Sequence, residues 1–175
     1  MSSVTLLGQY RTALNHISLT YASLVLWSCP DTPEYFDALY ERLDGIPRPF
    51  PQVVALLRDP QSMRIACEEL YESAHRSAIT NLFPLTRRHL RSVGKLEEAK
   101  REPWFQLFFI LRNYFAHDMT FHFNDYERSL LPLTWSGVTI QASMNECQLT
   151  NGQFSREKLR ELLEAAHVYI ASNAA

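Results

Sequence analysis

Three polar side chains interrupt a strongly apolar run early in the second half of this chain. In "ILRNYFAHD", residues 110–118, Arg112, Asn113 and His117 stand among aliphatic and aromatic neighbours. On a helix that advances about 100° per residue, Asn113 and His117 lie one above the other, and Arg112, one step round, reaches across on its long stem. A guanidinium fork, an amide and an imidazole around one small volume suit a phosphate with a proton-transfer group beside it. The imidazole can take a proton from a ribose 2′-OH or return one to a departing 5′-oxygen, while the arginine stabilises charge gathering on the phosphate oxygens. That chemistry cleaves RNA and requires neither a metal nor a cofactor.

Spacing alone does not select this chemistry. With 14 Arg and 6 His in 175 residues, chance supplies roughly half a match to Arg-x4-His per chain. Arg11 to His16 has the same spacing, and Arg160 to His167 nearly so. Three other readings of this region compete. His117 can close a helix C-terminus, favoured by the dipole, with Arg112 paired to a glutamate; Glu68, Glu69 and Glu72 on the preceding helix are the candidates, since an arginine beside phenylalanines is costly without a partner. His117, Asp118, His122 and Asp125 form a run of ligand types suited to zinc or manganese. Phe123, Tyr126 and Trp135 can stack bases or bind a partner protein in a non-enzymatic module, or simply pack.

The elements that must position the motif follow from periodicity. From Val4 to Trp27 apolar residues, among them Leu7, Tyr10, Leu14, Ile17, Tyr21 and Leu24, recur every three or four positions and predict a helix. "CPDTPEYFDALYERLDG" predicts a second, with Asp31 or Thr32 as cap, Pro33 in the first turn and Gly45 as the stop. "IPRPFP" is a connector. Asp59-Pro60 opens a long helix through Met63, Ala66, Leu70, Ala74, Ala78 and Leu82, which Pro84 is expected to kink or end. "TRRHLRSVGKLEEAKRE" reads as a solvated helical surface or as a strip that attracts phosphate, with Arg87, Arg88 and Arg91 at its start. Glu102-Pro103 begins the helix that carries the motif, apolar nearly all round as a central bundle helix must be. Beyond Asp118, "TFHF", "SLLPLTW" and "GVTIQAS" predict one or two hairpins with a turn glycine in "WSGV". Ser155 caps a last helix striped with Leu159, Leu162, Leu163, Ala166 and Ile170.

Composition narrows the class. Hydrophobic residues at 46% and charged ones at 21% fit a globular domain, and a net charge of −2 excludes an overall basic coat but not a local cationic patch. Cys29, Cys67 and Cys147 are odd in number and lack a Cys-x-x-Cys pair, which points to reduced thiols. A polar N-terminus and no apolar run of membrane-spanning length lead to the expectation of a soluble, cytoplasmic protein. The expected fold is mainly α, a single domain of four to five helices, its core bundle over residues 1–118 and its hairpin and last helix over residues 119–175.

"RNYFAH" at the end of an apolar helix, after a long amphipathic one, resembles the Arg-polar-x-x-x-His signature of HEPN domains, small helical bundles that are often RNases of bacterial toxin–antitoxin and antiphage systems. The core resemblance covers roughly residues 55–120, and "LTWSGVTI" is similar to the hairpin appended in some members. The resemblance implies a homodimer whose two motif helices face each other in one composite cleft. It implies Arg112, Asn113 and His117 as catalytic residues, and metal-independent transesterification that leaves a 2′,3′-cyclic phosphate and a 5′-hydroxyl. His122 is expected at the cleft mouth, with Arg87, Arg88 and Arg91 contacting RNA. An antitoxin or other inhibitory protein is the implied partner, and a catalytically inactive dimerisation or RNA-binding module is the alternative. Members silenced by nucleotide transfer carry a tyrosine two residues after the histidine. Met119 stands there and offers no acceptor.

Overall fold

The computed structural model describes residues 3–36, 51–150 and 152–173. It is mainly helical with one small two-stranded sheet. Two compact units are present: Met1–Leu14 with His75–Ala175, and Asn15–Ala74. Helix α1 (Ser3–Trp27) and the long α3 (Pro60–Ser92) each run through both.

In the second unit, residues 32–36 are helical and α2 spans Pro51–Leu57. Most of the predicted second helix, with Gly45, and of the "IPRPFP" connector falls outside the described residues. Thr32 is buried, and its hydroxyl donates to the Leu26 carbonyl at 2.6 Å. The Asp59 carboxylate caps α3, accepting from the Gln61 N–H at 3.1 Å and the Ser62 hydroxyl at 2.6 Å. The apolar face of α1 lies slightly off the expected stripe. Leu6, Tyr10, Ile17 and Thr20 are buried, whereas Tyr21 is exposed.

The first unit holds the motif. Pro84 does not end α3, which continues to Ser92. Proline removes one intrahelical donor and clashes with the preceding turn. Here it sits on the exposed side while Leu82, Phe83, Thr86 and Leu90 pack on the buried side, and that burial spans the break. The real stop is Gly94 at φ +71°, where the Lys95 N–H reaches back to the Leu90 carbonyl at 2.8 Å. The basic run is therefore divided: Arg87, Arg88 and Arg91 end α3, and Lys95, Lys100 and Arg101 flank the one-turn α4 (Leu96–Ala99).

Helix α5 (Pro103–Ala116) starts as its sequence directs, with Glu102 at the cap and Pro103 in the first turn. Leu107, Phe108, Ile110 and Leu111 are fully or almost fully buried. It packs on strand β1 and on the last helix, which makes it the central element of the unit. After a loop comes the short α6 (Asp125–Ser129), then β1 (Leu133–Trp135) and β2 (Val138–Ile140), paired antiparallel with Leu133 opposite Ile140 and Trp135 opposite Val138. Ser136 and Gly137 both take positive φ, as a two-residue turn that follows the strand twist requires. "TFHF" forms no strand; Phe121 instead exchanges backbone bonds with Glu146 and Cys147. Helix α7 (Arg156–Ser172) is capped by the Ser155 hydroxyl and buries Leu159, Leu162, Leu163, Ala166 and Ile170 completely.

Candidate functional site

The last turns of α5 lay out the motif. Arg112 and Asn113 are half-buried on the edge of an otherwise apolar helix. The Arg112 guanidinium donates to Asn113 Oδ1 at 2.9 Å, and Asn113 Nδ2 donates to Glu127 Oε1 at 2.9 Å. Glu127 is only 2% exposed. Its second carboxylate oxygen accepts the Asn124 N–H at 3.0 Å, while its own N–H donates to Asn124 Oδ1 at 3.0 Å, a reciprocal capping box that starts α6.

A line of polar groups thus runs from a buried carboxylate through an amide to a cation. Because both ends of the Asn113 amide are engaged, its orientation is fixed, and so is the direction from which it holds the guanidinium. Asn113 therefore positions Arg112, instead of touching the imidazole as the spacing suggests. Arg112 keeps donors to spare after this bond, since a guanidinium carries five N–H groups in a rigid fork.

His117 lies just beyond the helix. It is the C-cap, in extended conformation (φ −110°, ψ 159°), and its N–H closes the final turn on the Asn113 carbonyl at 3.1 Å. Its ring is exposed, and among the described residues no hydrogen bond or ion pair engages it. That closing bond keeps His117 one turn beyond Asn113, but among the described residues no hydrogen bond joins their side chains. The chain then turns sharply: Met119 takes φ +57°, and its N–H turns back to the His117 carbonyl. The structure thus joins Arg112 to Asn113 and leaves the imidazole of His117 to solvent.

The remaining candidates divide. His122 and Asp118 are exposed and pair at 3.5 Å, but among the described residues no group of three His, Cys, Asp or Glu side chains is placed to hold a metal. Arg87, Arg88 and Arg91 are exposed, and among the described residues no ion pair or hydrogen bond engages their side chains. Glu68, Glu69 and Glu72 are exposed in the second unit, and Glu68 pairs with Arg64 at 3.6 Å. The carboxylate that backs Arg112 is Glu127, reached through Asn113 from the element after the motif. Its signal was present as Asn124-x-x-Glu127, the capping-box pattern. Phe123 is buried, consistent with packing, whereas Tyr126 is half exposed.

Comparison with protein-family models, with curated proteins and with solved structures finds no match to this chain. Among the described residues no helix is long and apolar enough to cross a membrane.

Proposed function

We propose that this protein is a metal-independent endoribonuclease of the HEPN type, acting as a homodimer. The observation that supports it best is the braced guanidinium of Arg112 one turn before a solvent-open imidazole. In this mechanism Arg112 binds the scissile phosphate and stabilises the charge that builds on its oxygens. His117 takes the proton from the ribose 2′-OH, or delivers one to the leaving 5′-oxygen, with the two copies of the ring across the dimer sharing these tasks. Asn113, backed by Glu127, keeps the guanidinium in place. A role in toxin–antitoxin or antiphage defence, under restraint by a partner protein, belongs to the same proposal.

A second reading is favoured by one specific observation. A general base is normally held by a third group, and within one chain no described side chain orients the His117 ring. An inactive HEPN module that dimerises or binds RNA would need no such support. In the nuclease, the second copy or the RNA itself supplies it. Incubating purified protein with RNA in excess EDTA, then identifying the fragment ends, separates the two. Cleavage giving 2′,3′-cyclic phosphate and 5′-hydroxyl ends, lost in His117→Ala, is the expected result. RNA bound tightly but left intact supports the module.

A further inference from the structure

A cavity of about 550 Å³ opens between α3, α4, α5 and α6 in the first unit, within the size range of small-molecule sites. Its apolar wall is aromatic. Phe83 meets Phe105 at 5.2 Å and Phe109 at 5.9 Å between ring centroids, and Phe109 meets Tyr126 at 5.6 Å. The rings meet one another at tilted and edge-on angles, and an aromatic wall suits a flat apolar body.

The polar wall carries Arg87, Lys100 and Glu97. Lys100 Nζ is already committed to the Glu97 carboxylate at 2.7 Å. Gln106, also in the lining, donates to the Lys100 carbonyl at 3.0 Å and so holds the segment that joins α4 to α5. The two cations and one carboxylate leave a single net positive charge, and it is carried by a guanidinium with no described partner. The fork of an arginine matches the two oxygens of a carboxylate. A phosphate dianion would instead bring a second negative charge beside Glu97, with no further cation free in the lining to meet it.

We propose that this cavity is a binding site for a small aromatic monocarboxylate, its ring held among Phe83, Phe105, Phe109 and Tyr126 and its carboxylate on Arg87. The site goes beyond the nuclease reading and needs neither His117 nor Arg112. It also gives Arg87 a task distinct from that of Arg88 and Arg91, which do not line the cavity.

Calorimetric titration of the full chain tests this with benzoate, cinnamate and indole-3-acetate, each beside its neutral amide, and with adenosine monophosphate. At least one acid is expected to bind at least tenfold more tightly than its amide. Arg87→Gln should reduce that acid to the level of the amide, while Tyr126→Ala should weaken acid and amide alike. Both positions are exposed, so neither variant is expected to disturb the fold, and circular dichroism checks this. Failure of all three acids to bind at millimolar concentration would overturn the proposal. So would equal binding of acid and amide, indifference to Arg87→Gln, or tighter binding of the nucleotide than of every carboxylate.

Discussion

Asn113 is the residue on which the candidate site turns, because it converts a buried carboxylate into an anchor for a half-exposed cation. Replacing Glu127 with its amide tests this at nearly constant shape. Two N–H donors, from Asn113 and from the Asn124 backbone, point at the two carboxylate oxygens. In Glu127→Gln one of them would face an NH2 group, leaving buried donors opposed and costing about 1–3 kcal/mol in urea unfolding. Asn113→Ala should lower kcat for RNA cleavage by about 10²-fold through misplacement of Arg112. A loss confined to KM would instead mean that Asn113 touches substrate directly. At this scale the motif residues were legible from the sequence, but their partner was not. The cost of an unpaired arginine beside phenylalanines points back to the glutamates of α3, whereas Glu127 lies 14 residues after Asn113 and joins it only because the loop returns the chain to α5.

At the scale of elements, helix starts and the hairpin turn were readable because they depend on neighbours in sequence: Asp59-Pro60, Glu102-Pro103, Ser155, and Ser136-Gly137. Helix stops were harder. Pro84 is a local breaker overruled by the packing of Leu82, Phe83, Thr86 and Leu90, which no local rule contains.

A tie between α1 and α3 in this region gives an asymmetric prediction. Tyr10 is fully buried, and its hydroxyl meets Thr86 Oγ1 at 2.5 Å, while Thr86 Oγ1 itself donates to the Leu82 carbonyl at 2.8 Å. Tyr10 is therefore the donor in the pair, and burial pushes its phenol well above the usual range. Tyr10→Phe leaves no orphan donor and should cost about 1 kcal/mol, whereas Thr86→Val strands the tyrosine O–H and should cost about 1–3 kcal/mol. Chemical denaturation of both variants checks the order.

The cap at Asp59 makes a pH prediction. Its bonds to Ser62 and to the Gln61 N–H lower its pKa from 3.8. A carboxylate held lower in the folded state adds stability above its unfolded pKa, and this contribution disappears as pH falls through the folded value. The melting temperature of Asp59→Ala should therefore lie below that of the parent at pH 7, and the gap should close below pH 3.8. A gap that persists in acid would show that the carboxylate charge is not what stabilises the helix start.

At the scale of the whole molecule, the helical class and small hairpin were accessible from pattern and turn chemistry, while the two compact units were not. The units share α1 and α3 without a linker between them, so no shift in composition marks where one gives way to the other. The proposed nuclease needs a second copy to complete its cleft. Light scattering should give a mass twice 20.3 kDa for the active species, and a monomer that cleaves RNA would contradict the composite cleft.

The most direct measurement is the single-turnover rate of RNA cleavage in EDTA for the parent, Arg112→Ala, His117→Ala and the double variant, each verified as folded. Groups that act in one transition state are not additive. Each single change is predicted to slow cleavage by about 10²–10⁴-fold, with the double variant no slower than the worse single. Parent-like cleavage in either single variant, or activity that appears only with added metal, would contradict the account.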